Sequence, residues 1–305
     1  MSQRVSDTLR YINKNKFMYM LLIPGLVMLI IFKYIPMYGV LMAFKNFSFS
    51  KGIMGSPWND FAHFKSLFSS NDFYQIFFNS IFLSLLKIIF TFPFPIILAL
   101  MLNEVRWMPF KKITQTIIYL PHFISWVVLI SITITMLSVS DGIVNDIIRR
   151  LGGNTINFLG NVSWFRPIVI ITSLWRDAGW NTIIYLAALA GIDPSYYEAA
   201  RIDGASRWKC TWHITLPGIS STIIVLLVLA VGRMMDNGFE QIFLLQNPLN
   251  MDVSNVFETY TYRIGLIKGE FSYSAAVGLF KSVVGLILVS STNYFSKKFA
   301  DEGVF

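Results

Sequence analysis

Cysteine is nearly absent from this chain: one residue, Cys210, in 305. An intrachain disulfide is therefore excluded. Histidine is almost as scarce, with three residues, and His63, His122 and His213 are too far apart to form a metal-ligand spacing. Charge is thin as well. Only 14% of residues are charged, against about 25% in soluble domains. Whole motifs are also missing. There is no glycine-rich Walker-type loop to cradle a nucleotide phosphate, no nucleophile motif and no paired catalytic carboxylates. The chain reads as a non-enzyme with no cofactor of its own, whose energy comes from a partner. The net charge of +8 does not point to nucleic acid, because the basic residues are scattered between apolar runs rather than gathered in a stripe interleaved with exposed aromatics.

What is present is apolar surface. Hydrophobic residues make up 54% of the chain, too many to cover with polar groups in water, so a bilayer is the expected solvent. A spanning helix needs about 20 mainly apolar residues. Six stretches qualify: 17–44 (with Pro24 and Pro36), 74–102 (with Pro93 and Pro95), 116–137, 167–190, 219–235 and 273–294. Prolines inside spans are tolerated where neighbouring helices satisfy the freed backbone, which argues for a bundle with a polar interior. No small-residue cleavage site follows the first stretch, so it reads as an uncleaved span. Lys and Arg set the orientation. They are denser in the segments holding Arg4, Arg10, Lys14 and Lys16, then Arg106, Lys111 and Lys112, then Arg201, Arg207 and Lys209, and finally Lys297 and Lys298. Those segments belong inside, with both termini cytoplasmic. The outer loops carry Trp58, Phe61, Phe158 and Trp164, which need something to pack on, so they are expected to be ordered.

One long polar loop, 191–218, is expected on the inner side. Asp193 is a good N-cap and Pro194 suits the first helical position. Tyr197, Glu198, Ala199 and Ala200 favour a short helix, and Gly204 lets it stop. Trp208, Trp212 and Leu216 then follow at i, i+4 and i+8 on one face, before Pro217. Two short helices joined at a glycine, between two spans, have the shape of a docking element.

The run Glu198-Ala199-Ala200, three residues, Gly204, nine residues, then Ile214-x-Leu216-Pro217 resembles the signature loop of binding-protein-dependent ABC importer permeases. Asp203-Gly204-Ala205 with Trp208, the segment 175–194, Ile35-Pro36-Met37-Tyr38-Gly39 and Gly55-Ser56-Pro57-Trp58 are similar to the carbohydrate branch, in particular to permeases for polysaccharide fragments. The resemblance spans nearly the whole chain. It implies an all-α membrane protein with six transmembrane helices, a type I importer transmembrane domain, in a bacterial cell membrane. It divides the chain into 1–72 (N-terminal segment, first span and outer loop), 73–295 (transmembrane core) and 296–305 (cytoplasmic tail). It implies that Glu198, Ala199, Ala200, Asp203 and Gly204 form a coupling helix contacting an ATPase subunit. The implied partners are a second permease, two ATP-binding subunits that hold ATP and Mg, an extracytoplasmic solute-binding protein, an oligosaccharide substrate and membrane lipid.

Charges inside a span usually face a cavity or a partner. Ser173, Arg176, Asp177, Trp180 and Asn181 share one broad face of the fourth span, and Arg233, Asp236, Asn237 and Glu240 are spaced to do the same on the fifth. Arg176 and Arg233 each lie about 15 residues from the inner loop, about 22 Å at the helical rise. Equal depth predicts one shared cavity, with Ser173, Arg176, Asp177, Trp180, Arg233 and Asn237 along a substrate pathway. A structural ion pair is the competing reading; neighbouring Arg176 and Asp177 are not expected to face each other, which leaves Arg176–Asp236. Lys33, Lys87 and Lys281 read as snorkelling or packing residues. An ion-coupled secondary transporter, with Asp177, Arg233, Asp236 and Glu240 as relay groups, is the alternative function, and a membrane enzyme the third. Neither accounts for the 191–218 loop.

Overall fold

The computed structural model describes Tyr11 and residues 14–300, with side chains as far as Lys298. Arg4, Arg10 and the tail beyond 300, which entered the orientation argument, lie outside the described residues. Among the described residues there is no strand, only an isolated antiparallel bridge between Lys45 and Trp58. The principal helices are α1 (Lys16–Phe44), α2 (Asn71–Glu104), α3 (Met108–Phe123), α4 (Trp126–Leu137), α5 (Ile143–Arg150), α6 (Val162–Ala190), α7 (Pro194–Ile202), α8 (Arg207–Gly218), α9 (Ser220–Gly232), α10 (Phe239–Leu245) and α11 (Phe271–Ala300).

Three of these, α1, α2 and α11, are unbroken helices long and apolar enough to cross a membrane. Two bent pairs, α3 with α4 at 97° and α8 with α9 at 59°, are long and apolar enough to do so only when each pair is taken as one broken span. The expected third span is thus not one helix. Pro121 removes a backbone donor, Ile124 and Ser125 turn extended, and Ser125 restarts the chain as the N-cap of α4 by accepting the Val128 N–H. The fourth expected span, α6, is a continuous helix of 29 residues, but Arg176 and Asp177 make it more polar than its neighbours. In α1 the turn before Pro36 widens into a π-helical stretch over Ile30–Tyr34, because proline has no N–H to give the carbonyl one turn back.

The chain forms two compact units, Met1–Leu67 with Ile264–Leu279, and Phe68–Arg263 with Phe280–Phe305. In the first unit the loop after α1, expected to be ordered, has a specific anchor. Lys45 is buried, donates to the carbonyls of Ile53 (3.0 Å) and Met54 (2.8 Å), and lies 5.1 Å from the centre of the Trp58 ring. Phe61 packs edge-on against Phe44 at 5.4 Å. In the second unit Phe158 and Trp164 pack together at 4.9 Å. Phe158 enters a core with Leu83, Ile130, Phe165, Val169 and Ile242. Another core joins Ala99 of α2 to Tyr185 and Leu189 of α6 and to Ile219.

Helices α6 and α3 come into backbone contact at Gly179. A Cβ placed there would sit 1.9 Å from the carbonyl oxygen of Ile118. Helix α6 can therefore lie directly on the backbone of α3 only because this residue has no side chain. Gly179→Ala is expected to push the two helices apart and to cost about 1–3 kcal/mol, the usual range for overpacking, read as a lower unfolding temperature of the detergent-solubilised protein. An unchanged unfolding temperature would refute this packing.

Candidate functional site

Two features stand out in the second unit: the α7–α8 element, and a polar cavity between α2, α6 and the segment after α9.

The α7–α8 element is built as its residue types require. The Asp193 side chain caps α7 by accepting the Ser195 N–H at 2.9 Å, and this bond holds its carboxyl below the usual carboxylate range. The stability it contributes is therefore present above the ordinary carboxylate pKa and is lost only as pH falls through the depressed value. At the other end the Ala205 N–H reaches back to Ala200 O (2.8 Å) and the Gly204 N–H to Arg201 O (3.1 Å), closing a Schellman motif with Gly204 at φ +72°. That backbone geometry is what calls for glycine, since the space around Gly204 is open. Ser206 then caps α8. The expected face of Trp208, Trp212 and Leu216 is interrupted by a π-helical turn over Thr211–Thr215. Trp208 and Trp212 remain exposed with ring centres 5.9 Å apart, whereas Leu216 is half-buried. Tyr197 Oη meets Thr215 Oγ1 at 3.0 Å and ties the two helices together. Glu198, Ala199, Asp203 and Gly204 are exposed and Ala200 half-buried. Beside them Tyr196 and Ile202 are exposed, Ile202 at 88%. An aliphatic side chain is thus bared at the end of a well-capped helix, next to the exposed Tyr196.

The cavity has a volume of about 340 Å³ and is lined by Lys87, Ser173, Arg176, Asp177, Asn181, Arg233, Asp236, Asn237 and Gln241, among others. It shares Lys87, Thr91, Asn181, Arg233 and Asp236 with an adjoining cavity of about 470 Å³. The polar residues expected on two helices thus do surround one space, but not by the expected geometry. Helix α9 ends at Gly232, and Arg233, Asp236 and Asn237 lie in the non-helical link to α10, with Glu240 in the first turn of α10 and outside the lining. They share no helical face; the turn at Gly238 and the end of α9 interrupt it.

A hydrogen-bond network, much of it buried, runs through the cavity wall. Gln241 Nε2 donates to Val169 O (2.9 Å) and Thr172 Oγ1 (2.8 Å), with Ser173 Oγ also within 3.0 Å, and Gln241 Oε1 accepts from Lys87 Nζ at 3.1 Å. Lys87 Nζ also donates to Asn237 O at 2.7 Å. The Asn237 side chain is consumed internally, accepting from Ser84 Oγ (2.9 Å) and donating to Ser80 O (3.2 Å). Lys281, the other lysine set aside as a packing residue, pairs with Glu258. Gln241 gave no signal in the sequence, because one uncharged amide in a short apolar run looks like surface. The cavity position of Lys87 was hidden for a similar reason, since a lone lysine near a span ordinarily snorkels.

Arg176 and Asp177 occupy the break between α3 and α4. Arg176 Nε donates to Ile124 O at 3.1 Å, its guanidinium lies 4.6 Å from the centre of the Trp126 ring, and Nη1 meets Asp177 Oδ1 at 3.0 Å. Asp177 Oδ1 is also 3.0 Å from His122 Nδ1. The expected separation of Arg176 from Asp177 is thus corrected. Their Cβ atoms diverge, but the long arginine side chain folds back to its neighbour, and no Arg176–Asp236 pair forms among the described residues. Trp180 stacks on His122 at 4.5 Å and is not among the cavity-lining residues. His122, set aside for lack of a metal spacing, therefore acts as a packing and pairing residue at the bend. Among the described residues no cluster of potential metal ligands occurs. Because Arg176 bonds to the very residue where the helix breaks, Arg176→Ala is expected to cost about 2–4 kcal/mol and to lower the unfolding temperature. Arg176→Lys, which keeps the charge without the planar fork, should recover only part of the loss. Wild-type stability in Arg176→Ala would show that the bend holds without the clamp.

With this geometry in place, similarity to known proteins is informative. Residues 91–301 match the family model for the binding-protein-dependent transport system inner membrane component. The chain is 50% identical to Protein LplB of Bacillus subtilis (strain 168), covering 96% of this chain and 92% of that one. It is 48% identical to the polygalacturonan/rhamnogalacturonan transport system permease protein YteP of the same organism, covering 96% and 91%. Its fold superposes with a TM-score of 0.88 and 41% identity, over 97% of this chain and 99% of the other, on a chain from the crystal structure of a bacterial alginate ABC transporter in complex with an alginate pentasaccharide-bound periplasmic protein. The chain, multi-pass and helical, belongs to the binding-protein-dependent transport system inner membrane components, the permease subunits of ABC transporters.

Proposed function

We propose that this permease imports oligosaccharides, moving them through the polar cavity by alternating access. The observation that carries this reading is the α7–α8 element: a rigidly capped helical pair that bares Ile202, Trp208 and Trp212 to solvent beside the small residues Ala199 and Ala200. Small residues allow close approach, and Glu198 supplies an acceptor at the rim. Two ATP-binding subunits, holding ATP and Mg, dock on this element and on its counterpart in a second permease subunit. Closure of the ATPase pair draws the two elements together and turns the cavity outward, and hydrolysis resets it; the chain is one half of a two-state device biased at a distance. A solute-binding protein delivers the cargo outside. The oligosaccharide assignment draws on the polysaccharide-fragment transporters among the similar proteins. In this reading the α7–α8 loop and both termini face the cytoplasm, residues 1–72 hold the N-terminal segment, first span and outer loop, 73–295 form the transmembrane core, and 296–305 the tail.

An ion-coupled transporter leaves the exposed α7–α8 face without a purpose. The two readings part on a direct test. Glu198→Lys and Gly204→Leu alter only the docking element, so both variants are expected to reach the membrane folded and to import nothing. Leucine at Gly204 must also adopt a left-handed backbone, at a cost of about 1–2 kcal/mol that stays local. Wild-type uptake in Gly204→Leu would sink the docking assignment. In the same preparation the chain is expected to co-purify with a different permease and two ATPase copies and to show no ATP hydrolysis when isolated from them. An active assembly lacking a second permease would contradict this.

A further inference from the structure

The cavity holds a charge imbalance that the fold does not resolve. Its lining carries three cations, Lys87, Arg176 and Arg233, and two carboxylates, Asp177 and Asp236. Arg176 is accounted for, since it pairs with Asp177 at 3.0 Å and is fixed to Ile124 O and Trp126. Lys87 and Arg233 are not. Lys87 Nζ donates only to neutral acceptors, the Asn237 carbonyl and the Gln241 amide. Arg233 sits exposed at the end of α9, and neither residue is in an ion pair among the described residues. Asp236 spends one oxygen on the Gly238 N–H at 3.3 Å. Both unpaired cations line both adjoining cavities, so they share the wall of one passage.

Uncompensated charge within a bilayer-spanning bundle is expensive and is tolerated where a counter-charge or a pathway ligand meets it. We infer that Lys87 and Arg233 form a carboxylate-reading pair, so that the cargo is an oligosaccharide bearing carboxylates, as in uronic-acid chains. This rests on the importer reading above and narrows it to a substrate class and two residues. The division of labour follows from the side chains. Arg233 is unencumbered, and its planar fork matches a carboxylate bidentately. Lys87 is held by two hydrogen bonds and acts as a fixed point charge. Asp236, on the same wall, accepts from sugar hydroxyls and offsets part of the attraction. That balance suits a conduit, in which a ligand must bind well enough to enter and weakly enough to leave.

The test uses the assembled transporter, purified in detergent, and reads its unfolding temperature at matched ionic strength. The probes are oligogalacturonate and oligoalginate mixtures, and the same oligomers with their carboxyls reduced to alcohols. The acidic oligomers are expected to raise the unfolding temperature by about 2–4 °C at saturation, and the reduced oligomers to leave it unchanged. Arg233→Gln should abolish the shift and Arg233→Lys, which keeps the charge without the fork, restore only part of it. Arg233 makes no side-chain bond that the fold needs, so loss of structure does not confound the variant. Equal shifts from acidic and reduced oligomers, a full shift in Arg233→Gln, or no shift with any acidic oligomer would each overturn the proposal. The readout requires no ATP, so failure of the importer reading, seen as a preparation without an associated ATPase, is distinguished from failure of the carboxylate pair.

Discussion

The side chain of Gln241 holds the polar interior together. Lying on α10, it binds backbone and hydroxyl groups of α6 and accepts from Lys87 of α2. In an apolar surrounding each of those groups would be costly if left alone, and one planar amide satisfies several at once. The cavity exists because this network keeps α2, α6 and the 233–238 link at a fixed spacing with polar atoms turned inward. Lys87 is the member that reaches both the network and the open space of the cavity.

The second constraint is backbone continuity. A bundle crossed by prolines and bends must find new partners for every carbonyl and N–H that the helices release. Here side chains supply them. Arg176 serves Ile124 O, Thr182 Oγ1 lies 3.3 Å from Pro95 O, and Ser125 caps α4. The break between α3 and α4 is therefore a built corner, filled by a guanidinium and an aromatic ring. It also explains why α6, the most polar of the long helices, sits where it does: its charged pair is spent on the corner, and its glycine lets α3 lie against it.

These two constraints separate functions that look alike from composition alone. Charges within a span invite a reading as substrate ligands. Arg176 is engaged three ways in structure, and Asn237 has both side-chain ends satisfied internally. Among the described residues that line the cavity, Arg233 and Lys87 are the cations without a carboxylate partner. Internal pairing is decided residue by residue, by whether a partner lies within hydrogen-bond reach.

The sequence by itself determined the apolar, multi-helical character of the chain, the approximate extent of its long apolar helices, and the start and stop of α7 at Asp193-Pro194 and Gly204. These depend on local properties: apolar run length, proline and glycine at helix ends, and an Asp-Pro start. The family was legible for the same reason, since the Glu198-Ala199-Ala200 to Gly204 spacing is contiguous in the chain. Only the tertiary structure decided which polar residues meet. A periodicity argument assumes an unbroken helix, so it placed Arg233, Asp236, Asn237 and Glu240 on one face where the chain in fact turns at Gly238. It could not see that Arg176 reaches a carbonyl 52 residues away, that Trp180 lies on His122, or that Gln241 gathers three segments. Those facts depend on where distant segments pack, and in an apolar bundle that is set by the need of each buried polar group to find a partner.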